Sequence, residues 1–372
     1  MDVTADLVRH YRVHAQQLDR APRADRTPVD AAVLDLGVQD TGPDGALWAL
    51  ALRGVPVTAR DWPPELALAW TVRAAPHAYR RADLPAVERA LRPYSEADAA
   101  KRLINASGPL RAAGIPATEA LAAVARTMRD VVDHPLAKGE LSTRMTTEMP
   151  APYLRWCEGC QATHLYEMPF RLAALHAGLE LEPGTSPPVV RRIPRWPAAR
   201  VGRIERADQT DDGSVDLLRG LLHLLGPMTP KQAATYLDAP PKDVTARWPS
   251  DAVRVEVDGA DADLLAADVD TLQDGDEPDV VRLLGPFDLF LQGRDRTVIV
   301  PDTARHTALW PTIGRPGAVL ARGEIVGTWR PRARGTRLGL ALDEWVPWDA
   351  ATRDAVGVEH ARLAAFRGME VV

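Results

Sequence analysis

A change in hydrophobic periodicity near Val280 is the feature that most constrains the fold of this 372-residue chain. Before Val280, apolar residues recur mainly with helical spacing, and short extended stretches follow the blocks of helix. After it they alternate with a period of two, in runs such as VVRLLGPFDLFLQ and GAVLARGEIVGTW that Gly and Pro interrupt. These runs predict four to six strands in a small C-terminal β-barrel, with a strongly bent sheet as the alternative, and a helix from Thr352 to Arg367 follows them.

The segment from Met228 to Trp248 carries the clearest local motif. Thr229 and Pro230 suit a helix start, and an Asp-Ala-Pro-Pro turn separates a second short helix. The alternating residues from Val253 to Gly259 then predict a strand, which gives the order helix-turn-helix and wing. A structural role for this unit is favoured over reading of the major groove, because the basic residues of its second helix are only Lys242 and Arg247.

Two earlier blocks repeat this order of helices followed by extended chain. The first begins with a helix over 3–18 and ends in a hairpin or wing over 67–81, with Pro76 inside it. The second has helices predicted near 95–107, 117–133, 138–149 and 164–178, with a kink at Pro169. We therefore predict an α+β fold of tandem winged-helix units followed by a small β-barrel, divided as 1–94, 95–205, 206–275 and 276–372.

Composition excludes several classes of protein. The chain is 46% hydrophobic and 26% charged, and none of its apolar runs approaches the roughly 20 residues of a membrane span. Its N-terminus, MDVTADLVRHY, predicts an amphipathic helix and not a signal peptide. Two cysteines fit a reducing cytoplasm. We expect a cytoplasmic, monomeric protein without a cofactor and without a membrane partner.

Charge is distributed unevenly along the chain. The formal net charge is −6, which argues against indiscriminate coating of nucleic acid. Residues 189–206 nevertheless hold six arginines and 329–337 hold four, whereas 256–279 hold ten acidic residues and no basic one. This distribution favours a basic face for phosphates on an acidic molecule, and scattered solvated charge is the alternative.

A polar segment between two apolar helical stretches is the first candidate site. Within the run from Leu34 to Gly54, the residues QDTGPDG cannot continue a helix, because Gly42, Pro43 and Gly45 interrupt it. Asp44 is the predicted N-cap of the helix that follows. The residues Gln39, Asp40 and Thr41 would then lie at the end of a helix with a packed core behind them, and a capped turn is the alternative to a functional site.

The C-terminal residues carry a resemblance to a known family. The block GPFDLFLQGRDRTVIVPD, with GAVLARGEIVGTWRPR after it, resembles the C-terminal module of the AlkZ/YcaQ-type winged-helix DNA glycosylases. That resemblance implies a protein that binds double-stranded DNA and excises alkylated or crosslinked bases. The residues Arg73-Ala-Ala-Pro-His77 are similar to the family's Arg-Gly-x-x-His hairpin, with Ala74 at the glycine position. Arg73 and His77 are accordingly predicted to contact DNA, and a structural role for His77 is the alternative.

The resemblance also implies catalytic residues. The family's motif is Gln-apolar-Gln or Gln-apolar-Asp, and the corresponding residues here are Gln39, Asp40 and Thr41. Cleavage of an N-glycosidic bond develops an oxocarbenium-like sugar and needs an aligned water. Gln39 could orient that water and Asp40 could polarise it, unless Asp40 caps the next helix. A DNA-binding protein without activity and a protein that sequesters the lesion are the rival functions.

Other candidate residues are basic side chains and sulfur ligands. The arginines of the C-terminal module predicted to contact DNA are Arg294, Arg296, Arg315, Arg330 and Arg332; internal Arg–Asp pairs are the alternative. Cys157, Cys160 and His164 have the spacing of half a zinc motif. Two buried cysteines are the preferred interpretation, and no metal site is predicted.

Overall fold

The chain folds into two compact units, each built from separate segments. A computed structural model describes residues 1–42, 44–204 and 215–372. Unit 1 comprises Met1–Leu66, Leu217–Tyr236 and Trp248–Val372, and unit 2 comprises Ala67–Asp216 and Leu237–Arg247. Two residues used above, Pro43 of the polar turn and Arg206 of the arginine-rich stretch, lie outside the described residues.

The described residues contain fifteen α-helices, several of them only one turn long. In chain order they are α1 Ala5–Ala15, α2 Gly45–Leu52, α3 Leu84–Leu91, α4 Glu96–Leu103, α5 Ser107–Ala112, α6 Ala117–Val131, α7 Lys138–Glu148, α8 Glu167–His176, α9 Leu217–Leu225, α10 Pro230–Leu237, α11 Pro241–Thr245, α12 Val269–Gln273, α13 Arg296–Ile299, α14 His306–Leu309 and α15 Ala350–Arg367. None of them is long and apolar enough to cross a membrane.

Sixteen strands, most of them short, accompany these helices in the described part of the chain. They are β1 Asp2–Val3, β2 Val38–Gln39, β3 Leu66–Trp70, β4 Pro76–Arg80, β5 Leu136–Ala137, β6 Leu154–Cys157, β7 Ala162–Leu165, β8 Leu179–Glu182, β9 Val189–Arg192, β10 Ala252–Val257, β11 Ala260–Leu265, β12 Val281–Leu284, β13 Gly317–Ala321, β14 Glu324–Arg334, β15 Arg337–Glu344 and β16 Glu370–Val371.

The C-terminal part of unit 1 is a five-stranded half-barrel. Its strands follow the order β12-β13-β14-β15-β16, antiparallel except for the last pair. The predicted barrel is therefore an open sheet, because β12 and β16 remain its two edges. The terminal helix is confirmed as α15, whereas the run RTVIVPD, predicted as a strand, contains the short helix α13. Alternating apolar residues cannot distinguish a strand from a buried single helical turn.

A continuous apolar core joins the half-barrel to the N-terminal segment of unit 1. Leu283 and Trp329 of the sheet, Leu363 of α15 and Trp48 of α2 belong to one buried cluster. The indole of Trp48 donates a hydrogen bond of 2.8 Å to the carbonyl oxygen of Leu283. Helix α2 is apolar all round, as a helix buried in a core should be. This packing fixes its N-terminus, where the polar segment QDT lies.

A second sheet and the remaining helices complete unit 1. Strand β1 pairs in parallel with β10, which pairs in antiparallel with β11. Thr4 caps α1 by accepting a hydrogen bond from the amide of Leu7. Arg12 is buried and forms an ion pair with Asp295 at 2.6 Å. The central α1 thus ties the N-terminal segment to the C-terminal one by both packing and charge.

The elements predicted between Met228 and Gly259 are present. Helix α10 has a capping box, because the amide of Gln232 donates to Thr229 Oγ1 and its side chain accepts from the Thr229 amide. Helix α11 and strand β10 follow in the predicted order. Helix α11 belongs to unit 2 and β10 to unit 1. The grouping of these elements into winged-helix units, and the fourfold division of the chain, stay predictions.

Unit 2 combines the helices α3–α8 with a sheet whose strands follow the order β4-β3-β8-β9-β5. The hairpin predicted over 67–81 is confirmed as the neighbouring strands β3 and β4. A buried ionic group lies in the helical layer, where Glu88 binds Arg92 at 2.9 Å and His176 at 2.8 Å. Pro169 does not kink α8, because it occupies the first turn, where its missing amide costs little. The hairpin β6–β7 was not predicted.

Candidate active site

The chain approaches the candidate site through irregular structure rather than through a helix. Residues Ala32–Asp35 form one turn of 3₁₀ helix, and Gly37 then takes a positive φ of 80°. Gln39 ends the two-residue strand β2. The predicted position of Gln39 at a helix end is therefore wrong. The glycine turn accounts for the difference, because it redirects the chain before a second helical turn can form.

Asp40 caps helix α2. Its Oδ1 accepts a hydrogen bond of 2.9 Å from the amide of Ala46, the second residue of the helix. Gly45 permits this approach, because a Cβ at that position would lie 1.8 Å from Asp40 Oδ1. Burial raises the pKa of the Asp40 carboxyl, although the hydrogen bond from Ala46 acts in the opposite direction. Asp44 occupies the predicted N-cap position, but its side chain makes no capping hydrogen bond, and Asp40 supplies the capping oxygen instead.

Gln39 and Thr41 meet at the mouth of a small cleft. The side-chain amide of Gln39 donates a hydrogen bond of 3.0 Å to Thr41 Oγ1. Both residues line a cavity of about 20 Å³ in unit 1, together with Trp48 of α2 and the segment Gly285–Asp288 that follows β12. A volume of roughly 10–15 Å³ already holds one water molecule if polar partners surround it. The cleft thus has the size of a water site and not of a base site.

Ion pairs hold the walls of this cleft in place. Asp288 is fully buried and accepts two hydrogen bonds from Arg53, at 2.8 and 2.9 Å. Its Oδ1 also accepts from the amide of Phe290, and Arg53 in turn binds Gln16 at 3.2 Å. Because Asp288 is completely buried, as is its partner Arg53, this carboxylate serves the wall rather than the chemistry.

Asp44 is a carboxylate of the cleft that was not predicted as a functional residue. It lines the same cavity as Gln39 and Thr41 and binds Arg367 of α15 through both oxygens. Side chains of both residues are 12% exposed. The partner lies 323 positions away, so no local pattern could have identified the pair. The position after Pro43 in a polar turn was the only signal that the sequence contained.

The hairpin residues predicted to contact DNA lie in unit 2. Arg73 is half-buried and has a left-handed conformation, with a φ of 53°. His77 is fully buried, and its Nδ1 lies 3.0 Å from both Thr71 Oγ1 and the Ala75 carbonyl oxygen. Burial lowers the pKa of His77 to about 4. His77 therefore has the structural role stated as the alternative, and we correct its predicted DNA contact, since DNA cannot reach a side chain without exposure.

Two of the predicted arginines of unit 1 contact the segment 310–315, and a third, Arg315, belongs to it. The guanidinium of Arg296 lies 4.9 Å from the Trp310 ring, and that of Arg315 lies 5.2 Å from the Phe287 ring. Arg330 donates a hydrogen bond of 2.7 Å to the Gly314 carbonyl oxygen. Phe287 also lines the cleft of Gln39, so the segment lies next to the cleft.

The remaining two arginines of unit 1 differ in exposure. Arg332 is exposed on β14. Arg294 is half-buried, 5.9 Å from the Tyr236 ring. Asp295, which lies between Arg294 and Arg296, forms an internal ion pair, and its partner is Arg12 of α1. Trp310 and Trp329 are buried in the apolar core of unit 1.

Arginines of the stretch 189–206 are partly engaged inside unit 2. Arg191 binds Glu180 at 3.0 Å, and Arg200 donates to the Pro85 carbonyl oxygen at 2.8 Å. Arg192 donates to the carbonyl oxygens of Val132, just after α6, and of Arg129 in α6, at 2.5 and 2.7 Å. These three side chains stabilise the unit, so the described part of the stretch is a weaker candidate for DNA contact than its charge suggested.

The cysteines are not buried. Cys160 is exposed and Cys157 is half-buried, and both lie close to His164 at the end of the β6–β7 hairpin. A hydrogen bond with His164 lowers the pKa of the Cys157 thiol to about 7. The interpretation as two buried cysteines is therefore wrong.

Comparison with known proteins agrees with this architecture. The family described as DNA glycosylase AlkZ-like matches residues 33–366, which is most of the chain. Among solved structures, the DNA glycosylase AlkZ of Streptomyces sahachiroi is similar over 100% of both chains, with a TM-score of 0.69 and 18% sequence identity, and so shares the fold. A search of curated proteins gave no match. The chain belongs to the AlkZ-like DNA glycosylase family.

Proposed function

We propose that this protein hydrolyses the N-glycosidic bond of alkylated or crosslinked bases in duplex DNA, with Gln39 and Thr41 holding the attacking water. The observation that carries the proposal is their hydrogen bond of 3.0 Å at a cleft of about 20 Å³. Because the Gln39 amide nitrogen donates to Thr41, its carbonyl oxygen is left to accept from a water. The Thr41 hydroxyl proton is available as a second partner.

The chemistry needs little more than an aligned water and a negative environment. A base alkylated at a ring nitrogen is already cationic, so it leaves without protonation by a general acid. The sugar develops oxocarbenium character, which a nearby carboxylate stabilises. A cleft of one-water size, with Gln39 and Thr41 half-buried beside it, holds the water between protein groups on several sides. This arrangement also explains why an amide suffices where stronger bases occur in other hydrolases.

Two carboxylates compete for the electrostatic role. The sequence favours Asp40 by its place in the motif, but Asp40 Oδ1 caps α2. Asp44 lines the cleft and is held by Arg367. We assign the stabilisation of the sugar to Asp44, and we assign to Asp40 the positioning of Gln39 and Thr41 through the cap. Asp40 remains within the catalytic segment in either case.

DNA contacts are assigned to the basic surface next to the cleft. Arg296, Arg315, Arg330 and Arg332 would bind phosphates there, with Arg294 supporting them from its half-buried position. Ile313 belongs to the segment 310–315 that Arg296 and Arg330 contact, and it is 88% exposed. An exposed apolar side chain on a basic surface is suited to insert between base pairs, as wedges in other DNA-binding proteins do.

In unit 2, Arg73 remains a proposed contact. Winged-helix organisation of both units, a monomeric state and a cytoplasmic location are further parts of the proposal.

The second candidate is a DNA-binding protein without activity. Asp40 supports it, because the residue next to Gln39 serves as a cap and the third position of the motif is Thr41. Sequestration of the lesion belongs to the same class, since it needs binding alone. Both alternatives predict a bound lesion that stays intact.

Excision can be measured directly. Duplexes that carry 7-methylguanine or an interstrand crosslink are incubated with excess protein, and abasic sites are quantified over time. We expect abasic sites with the parent, a loss of about 10²-fold or more in rate for Gln39→Ala, and a further loss for Gln39→Ala with Thr41→Val. Gln273→Ala, an exposed glutamine of α12, is the matched control and should retain the parent rate.

The outcomes distinguish the two candidates. Abasic sites that depend on Gln39 support the enzyme. Selective binding of damaged duplex without abasic sites, in protein with a normal thermal transition, would contradict the proposal and favour the binding protein.

A further inference from the structure

The hairpin β6–β7 brings three strong metal ligands together in unit 2. Ligand atoms of Cys157, Cys160 and His164 all lie within 4.8 Å of one another. In a tetrahedral zinc site, bond lengths of about 2.0–2.3 Å place the ligand atoms about 3.5–3.8 Å apart. The distances between the ligand atoms would therefore have to shorten by about 1 Å to match a zinc site. Small rotations of the three side chains are enough for this change.

The backbone around Cys157 has the arrangement that a thiolate ligand requires. Cys157 ends β6, and the Cys160 amide donates to the Cys157 carbonyl oxygen at 3.2 Å, which folds the intervening residues into a tight turn. The turn reverses the chain, and the sulfur atoms of Cys157 and Cys160 lie within 4.8 Å of each other. One ion could therefore contact both sulfur atoms.

The orientation of His164 is fixed by a hydrogen bond on its other nitrogen. Nδ1 lies 2.7 Å from the carbonyl oxygen of Leu165 and must carry the proton, since a carbonyl oxygen only accepts. Nε2 then keeps a lone pair. Metal-bound histidines usually have this second hydrogen bond, which selects the tautomer and aims the ring. This is evidence for ligation that does not depend on the spacing of the cysteines.

None of the side chains at the tip of the hairpin, from Trp156 to Thr163, is buried. Strands β6 and β7 form a sheet of their own with four residue pairs, from Leu154↔Leu165 to Cys157↔Ala162. Leu165 is buried at the base of the hairpin, whereas Trp156 is 54% exposed. A two-stranded hairpin is marginally stable by itself in water. A bound metal at its tip would provide the missing constraint.

We propose that Cys157 Sγ, Cys160 Sγ and His164 Nε2 bind one Zn²⁺, with the fourth position open to solvent. Among the described residues, these three side chains are the cluster of possible metal ligands whose ligand atoms lie close enough together to hold one ion. The neighbouring Glu158 accepts hydrogen bonds from Trp156 and Gln161 instead. Zinc sites with three protein ligands hold a water or a substrate in the fourth position. The proposal is independent of base excision, because the ligands belong to unit 2 and the cleft of Gln39 to unit 1.

Metal content provides the test. Untagged protein is purified in a reducing buffer without chelator, loaded with zinc, passed over a desalting column and analysed for metal. We expect one zinc per chain in the parent and a large loss in Cys157→Ser, Cys160→Ser and His164→Asn. His134→Asn is the matched control, because His134 is an exposed histidine of unit 2 that lies with Asp133 and outside the cluster.

Cobalt titration of the parent keeps the test valid if a variant fails to fold. Thiolate-to-cobalt charge-transfer bands and intense tetrahedral d–d bands are expected, and zinc should displace them. Hydrogen exchange of residues 154–165 should slow on loading with zinc. Zinc well below one per chain in the loaded parent, unchanged zinc in folded Cys157→Ser, or cobalt spectra without thiolate bands would each overturn the site. A Cys157–Cys160 disulfide that persists in reductant would do the same.

Discussion

Asp40 shows how one residue can combine local structure with function. Its carboxylate caps α2 and thereby fixes the backbone that carries Gln39 and Thr41. An asparagine keeps a capping oxygen but removes the charge, whereas an alanine removes both. These two variants therefore separate the role of a cap from that of a catalytic carboxylate.

We expect Asp40→Asn to retain most of the excision rate and the parent melting temperature. Asp40→Ala should lose about 1 kcal/mol of stability together with much of the rate, because the segment loses its anchor. Asp44→Asn should keep the fold and lower the rate more than Asp40→Asn does. Single-turnover excision and thermal unfolding measure both properties. A normal melting temperature with loss of rate in Asp40→Asn would return the electrostatic role to Asp40.

His77 makes the stability of the protein depend on pH. Burial lowers its pKa from 6.5 to about 4 in the folded state, so the folded state binds this proton less readily than the unfolded state. The contribution of neutral His77 is complete above about pH 6.5 and is lost as the pH falls towards 4. A shift of this size corresponds to roughly 3 kcal/mol.

The variant His77→Gln should lack this titration. Its melting temperature should be lower at neutral pH but should fall less than that of the parent between pH 6.5 and 4. His10→Gln, a half-buried histidine of unit 1, should retain the slope of the parent. Equal slopes for the parent and His77→Gln would show that His77 does not contribute to acid unfolding.

At the scale of elements, the segment 310–315 links the cleft to the basic surface. Arg330 anchors Gly314 and Arg315 lies over Phe287, so the exposed Ile313 is presented on a segment held at several points. We expect Ile313→Ser to lower excision several-fold and to weaken binding of damaged duplex more than of undamaged duplex, because a wedge acts where stacking is already weak. Val358→Ser removes another exposed apolar side chain, on α15, and should have no effect. Parent activity in Ile313→Ser would exclude the wedge.

Elements were predictable where local signals agreed. Thr229 and Pro230 gave the start of α10, and the period of two gave most of the C-terminal sheet, because capping and alternation act within a few residues. The prediction of a strand at RTVIVPD was wrong, because this run contains the short helix α13. A buried single helical turn has the same apolar pattern as a short strand. Hairpin β6–β7 escaped prediction because its exposed residues carry no hydrophobic period.

The sequence was enough to identify the segment that carries the candidate site, but not the arrangement of the residues around it. Gln39 and Thr41 were identified by resemblance, but the cleft depends on Gly285–Asp288 and on Arg367, which are more than 200 positions away. Likewise, the burial of His77 and the pairing of Asp295 with Arg12 follow from tertiary packing. Spacing along the chain contains no information about such partners.

At the scale of the whole molecule, a net charge of −6 has to coexist with binding to a polyanion. The structure brings Arg296, Arg315 and Arg330 to one segment of unit 1, with Arg332 exposed on the same strand as Arg330. A local basic surface attracts phosphates even when the total charge is negative, since salt screens charges farther away than about 8–10 Å. Binding should therefore depend strongly on salt and weakly on sequence.

Arginine variants test this surface through the slope of log affinity against log salt. Each lost phosphate contact should reduce the slope by about 0.9 and weaken binding to damaged and undamaged duplex by similar factors. Arg330→Ala and Arg332→Ala should behave in this way and unfold normally. Arg294→Ala should also lower the melting temperature, because its half-buried side chain packs over Tyr236.

Arg254→Ala is the matched control, since this exposed arginine is paired with Asp261 and Asp263 in the acidic stretch. If Arg330→Ala and Arg332→Ala bind as tightly as the parent at every salt concentration, DNA binds to a different surface of the protein.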